Sequence, residues 1–136
     1  MENSIFAKFN HQLSTAFVNV RSGNELLFID VDLSKALFWN YQENMRDLVN
    51  ECERFDGAVV KEQLLAPRQW ELACLVDEAR ADSFCDVREL TGEELEPHLI
   101  KALTHLESIK QQFTDLMKVI GIEYGYQRFS ATLSRI

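Results

Sequence analysis

From Phe38 to Phe55 the apolar positions keep a helical rhythm. Phe38, Tyr41, Met45, Leu48, Cys52 and Phe55 recur at alternating spacings of three and four, so they share one stripe of a helix that turns every ~3.6 residues. Asp32 or Ser34 can cap its start, and Asp56-Gly57 offers a stop. A second stripe runs through Leu99, Ala102, Leu106, Ile109, Phe113, Leu116 and Ile120, with Gly121 as the break beyond it. Thr91 and Glu94 have the spacing of a capping box. Pro97 then removes the amide that would bond back to position 93. This predicts a short turn over 91–95 and a main helix from Pro97 to about residue 120. Between these two helices, Leu72, Leu75, Val76 and Ala79 form a third stripe, with Pro67 in its first turn.

Near the N-terminus, Ile5, Phe6, Phe9, Leu13, Ala16 and Phe17 suit a fourth helix after Asn3 or Ser4. Beyond it the pattern changes. Val18 and Val20 alternate with polar neighbours, Arg21-Ser22-Gly23-Asn24 is turn chemistry, and Leu27, Ile29 and Val31 alternate with Phe28, Asp30 and Asp32. Alternation on either side of a glycine turn predicts a small β-hairpin over 16–32. A helical register through Leu26, Ile29, Leu33 and Leu37 competes with it. The tail divides in the same way. Tyr126, Phe129, Leu133 and Ile136 fit a helix, whereas Phe129, Ala131 and Leu133 alternate as in a strand that could pair with the hairpin's edge.

Each stripe is apolar on one side and charged on the other, so no helix can hide its own. Burial at ~25 cal/mol per Å2 of apolar surface drives the stripes together. The expected fold is mainly α, a compact bundle of three to four helices with the hairpin beside it, in a single globular domain over 1–136. A chain of 136 residues can bury such a core without staples. Only five Gly and two Pro are present, which favours long regular elements. The same spacing serves a coiled coil, so a homodimeric helical scaffold is an alternative.

Candidate chemistry is sparse. Cys52, Cys74 and Cys85 are odd in number and match no zinc spacing. They predict reduced thiols in a cytoplasmic protein, with no metal and no cofactor. Cys52 and Cys74 sit on or beside apolar stripes as core thiols, and Cys85 lies among acids that disfavour a thiolate. The N-terminus lacks the basic flank and apolar run of a signal peptide. No stretch approaches the ~18 apolar residues of a membrane span.

After the apolar run Leu26-Leu27-Phe28-Ile29, the sequence Asp30-Val31-Asp32-Leu33-Ser34 resembles the nucleophile motif of haloacid dehalogenase-like phosphohydrolases. The resemblance implies that Asp30 attacks phosphorus and Asp32 serves as acid–base, with magnesium between them. That family carries a downstream lysine and acidic pair on a parallel sheet, and the chain here turns helical instead. Asp30 and Asp32 are therefore read as the wet face of a strand, with Asp32 capping the next helix. His98 and His105 lie seven apart on one helical face, about 10 Å, which is too far for two ligands of one ion. Asp30, Asp32, His98 and His105 together define an alternative reading, a small enzyme with a metal or acid–base site.

Charge changes the picture more than chemistry does. The net charge is −8, but residues 71–96 alone hold nine acids against Arg80 and Arg88. Residues 97–136 are net basic by two. An acidic protein is unsuited to direct contact with nucleic acid or an anionic membrane. Asp77, Glu78, Asp82, Asp86, Glu89, Glu93, Glu94 and Glu96 suit a solvated face, or a docking surface for a basic protein partner steered by long-range attraction. Such acids can imitate a nucleic acid's phosphates. Trp39, Tyr41 and Trp70 are candidate anchors, and Trp39 is the best placed because it lies off the buried stripe. The expectation is a non-enzymatic acidic protein that binds another protein as an inhibitor, immunity or anti-defence factor.

Overall fold

Gly23 and Ser34 bring the first two helices together. A Cβ on Gly23 would meet Leu99 Cδ2 at 3.3 Å, Leu37 Cβ at 3.6 Å and the Ser34 carbonyl at 3.6 Å. Only the approach to Leu99 is tighter than ordinary contact, so the missing side chain eases the packing of the Leu99 helix on the first. The buried Ser34 hydroxyl donates to the Gly23 carbonyl at 2.7 Å. The computed structural model describes the backbone of residues 2–59 and 65–124 and the side chains of 6–54 and 68–118. Four helices follow in order, α1 (Glu2–Leu26), α2 (Val31–Val59), α3 (Leu65–Ser83) and α4 (Gly92–Tyr124). The protein is mainly helical, with no strand among the described residues.

Cross-helix contacts give the directions. Gly23 lies beside Leu99, and Phe9 stacks on Phe113 with ring centroids 4.6 Å apart, so α1 and α4 run antiparallel. Gly23 against Ser34, with Gln12 and Asn19 joined through Asn44, makes α1 and α2 antiparallel too. Each helix packs on its neighbour in sequence and α1 closes on α4, leaving slight contact between α2 and α4. The four stripes meet in one core, where Leu13, Met45, Leu48, Leu72, Leu106 and Ile109 are fully buried. Antiparallel succession puts the α1–α2 corner and the α3–α4 connection at the same end of the structure.

Several expectations are corrected. The hairpin over 16–32 is helix, a four-residue corner and the start of another helix. Burial explains it: Ala16, Phe17, Val20 and Leu27 enter the core on the helical period, while Val18 is 60% exposed. The turn-like Arg21-Ser22-Gly23-Asn24 lies inside α1, where the glycine serves close approach rather than a reversal. Asp30, not Asp32 or Ser34, caps α2, its Oδ1 accepting from the Leu33 amide at 3.1 Å, and Asp32 occupies the first turn. Asp56-Gly57 does not stop α2, which continues to Val59; one glycine costs a helix only about 1 kcal/mol.

The capping box forms as expected. The Thr91 amide donates to Glu94 Oε1 at 3.0 Å and the Glu94 amide to Thr91 Oγ1 at 3.2 Å. Pro97, however, does not delay the main helix, which is continuous from Gly92. Its ring is exposed, so the carbonyl of Glu93 that it leaves unbonded can turn to water. Gly92 eases a close approach: a Cβ there would lie a tight 3.2 Å from both the Leu27 carbonyl and the Phe28 ring. The tail from residue 125 and the side chains of Phe55, Pro67 and Ile120 lie outside the described residues.

Candidate functional site

The α3–α4 connection is bound to α2 by side chains reaching for its backbone. Gln42 Nε2 donates to the Ser83 carbonyl at 2.6 Å and the Cys85 carbonyl at 3.0 Å. Lys35 Nζ donates to the Arg88 carbonyl at 2.8 Å. Val87 is buried beneath, and the Leu90 amide closes a turn on the Val87 carbonyl at 3.1 Å. With its backbone held this way, the connection displays Phe84, which is 84% exposed beside Trp39 at 58%. Both line a groove of ≈490 Å3 together with Gln42, Arg46, Arg80 and Arg88. Phe28 and Ile29 add exposed apolar surface at the α1–α2 corner.

The eight acids singled out in the sequence divide into two groups. Asp77 pairs with Arg80 at 3.2 Å and Asp86 with Arg88 at 2.7 Å. Asp82 takes His105 Nε2 at 2.9 Å and Lys101 Nζ at 3.4 Å on the same oxygen, and Glu94 is used in the cap. Glu78, Glu89, Glu93 and Glu96 make no ion pair among the described residues. The side-chain and backbone hydrogen bonds from Arg88 pull the Asp86 carboxyl down to about 2. The Thr91 amide, then its hydroxyl, lowers Glu94. For Asp82, partial desolvation works upward, but His105 and Lys101 outweigh it and the net shift is downward. Asp86 therefore stays charged well into acid.

Tyr41, Asp82, Ser83, His98, Lys101 and His105 line a small, half-open cavity of ≈10 Å3. The two histidines that the sequence places seven apart thus reach one space from positions two turns apart on α4. Cys85 Sγ lies 3.8 Å from His98 Nδ1, and burial, with Asp86 second, pushes its thiol above the usual range. Burial, with the charge of Asp82 second, pushes the Tyr41 phenol far up. Asp30 and Asp32 line neither the groove nor this cavity. Among the described residues, no three His, Cys, Asp or Glu gather to hold a metal ion.

Tyr41 is fully buried rather than an anchor, because it falls on the core stripe. Trp39 and Trp70 are both exposed, but Trp70 does not line the groove. Cys74, expected in the core, is exposed. Phe84, Gln42 and Arg88 were not singled out by sequence reasoning. Phe84 had a signal, being an aromatic among polar residues off any stripe. Gln42 had none, since its role depends on which backbone crosses α2. No described helix is long and apolar enough to cross a membrane. No protein-family model, curated protein or solved structure matches the chain.

Proposed function

We propose that this is a non-enzymatic protein that binds a basic partner protein through the end of the fold carrying the α3–α4 connection. It acts by occluding the partner's functional surface, as an inhibitor, immunity or anti-defence factor does. The single observation that carries this reading is the pair Trp39 and Phe84, exposed together on one groove whose backbone is held by Gln42 and Lys35. Exposed aromatics with arginines around them have the composition of binding hot spots. Their rigidity lowers the ordering cost of association.

Charge supplies the partner's chemistry. Glu78, Glu89, Glu93 and Glu96 lack ion-pair partners among the described residues, and they flank the segment that carries Phe84. Their field attracts a positive surface and speeds encounter, while the aromatics supply residence. Purification of the tagged protein from its native cell, in parallel with Trp39→Ala, Phe84→Ala and the reversal Glu89→Lys/Glu93→Lys, tests this. A specific basic partner should be retained by the wild type, lost by both aromatic variants, and weakened by salt and by the charge reversal. A partner held equally by all four proteins would sink the reading.

A further inference from the structure

The cavity between α2, α3 and α4 has a polar lining that docking does not use. The Tyr41 hydroxyl is buried with no hydrogen-bond partner among the described residues, and Tyr41 lines the ≈10 Å3 shared with Asp82, His98 and His105. That space matches one solvent molecule, and cavities with several polar walls hold water where apolar ones stay dry. Asp82 Oδ2 already accepts from His105 and Lys101, which leaves Oδ1 with lone pairs to spare. Tyr41 has a proton to give and Asp82 a lone pair to offer, yet the two do not reach each other. A ligand that serves both must accept on one side and donate on the other. Water does so; a cation would face Lys101, and an anion would face Asp82.

We propose that this cavity is a built site for a single water molecule, which accepts from the Tyr41 hydroxyl and donates to the Asp82 carboxylate, with the imidazoles of His98 and His105 as its further neighbours. The water ties α2 to the last turn of α3 at Asp82, two residues before Phe84. The site stands whether or not the docking reading does.

A crystal structure of the full chain at a resolution that shows ordered solvent tests it, for the wild type and for Tyr41→Phe. The wild type should hold one water within about 3.2 Å of both Tyr41 Oη and Asp82. Tyr41→Phe should lose or displace it, and amide exchange over residues 84–88 should accelerate severalfold. A dry cavity, a Tyr41 hydroxyl bonded directly to a protein atom, or a water unmoved in Tyr41→Phe would overturn the proposal. Should Tyr41→Phe fail to fold, water-selective NOEs to the wild-type Tyr41 ring decide it, and absence of a long-lived water signal counts against the site.

Discussion

Replacing Gln42 with alanine removes one side-chain amide that serves two main-chain carbonyls. Its Nε2 donates to Ser83 at 2.6 Å and to Cys85 at 3.0 Å. A protein hydrogen bond is worth a net ~0.5–1.5 kcal/mol, so the pair contributes about 1–3 kcal/mol. Ser83 is buried and Cys85 only half-buried; the first carbonyl regains little water after truncation and the second regains more. The expected loss for Gln42→Ala is therefore near the middle, about 2 kcal/mol. Urea unfolding should show a lower midpoint at an unchanged slope. Hydrogen exchange should rise at residues 84–88 and not in the core of α4. Gln42→Glu is harsher, because a carboxylate would then face two carbonyl oxygens. Those oxygens raise the folded-state pKa of the introduced carboxyl above its unfolded value. Its penalty is thus full above the folded pKa and fades as acid protonates it, the reverse of an ordinary surface carboxylate. A Gln42→Ala loss below about 0.5 kcal/mol, with exchange over 84–88 unchanged, would refute the claim that α2 holds the connection.

Thr91→Ala should cost about 1 kcal/mol in urea unfolding through loss of the α4 cap, and Thr91→Ser should restore most of it. Gly23→Ala should be near neutral, a helix-propensity gain of about 1 kcal/mol offsetting the 3.3 Å approach to Leu99. Gly23→Leu should lose about 1–3 kcal/mol or more by overpacking the crossing with α2 and α4. Carboxyl-carbon NMR should find Asp86 titrating at about 2, and Arg88→Ala should return it part of the way toward ~3.9, since the amide of residue 88 still donates to it. Because the folded pKa lies below the unfolded one, whatever stability the Asp86–Arg88 pair lends is present above pH ~4 and lost as pH falls toward 2. A wild-type midpoint at the ordinary carboxylate value would contradict the bonding drawn between these two residues.

Most of the helical frame was legible because it is written in burial. The stripes Phe38–Cys52, Leu72–Ala79 and Leu99–Leu116 name residues that are in the core, save Leu75, which is half-buried against it, and periodicity is a direct record of which side faces in. The failures share another cause. At 16–32, glycine, alternation and turn-forming side chains spoke for a hairpin, but those signals are local. What decided the matter was a partner helix: Gly23 packs against Leu37, Ser34 and Leu99, residues eleven or more positions away, and no local pattern announces such a contact. Asp56-Gly57 failed for a similar reason, since a weak breaker yields to a helix already propagating. At the candidate site the acids and Trp39 were visible as composition and as a position off the stripe. The groove was not, because it exists only where the connection crosses α2.

Whether Phe84 is exposed by necessity can be judged from the connection itself. Three residues on, Val87 is buried against the fold, so this segment can tuck an apolar side chain inward, and its length does not force Phe84 out. Nor is Phe84 left out by a loose backbone, since the carbonyls on either side of it are both held by Gln42. An isolated exposed aromatic would need no explanation, given how much apolar surface any folded chain shows to water. Phe84 is not isolated: it shares its groove with Trp39, which α2 projects away from a stripe that buries Phe38 and Tyr41 on either side. Helix α2 and the α3–α4 connection therefore each turn an aromatic outward to the same place while Phe38, Tyr41 and Val87 nearby turn inward. Random scatter gives no reason for that coincidence, and a partner that covers both rings at once gives one.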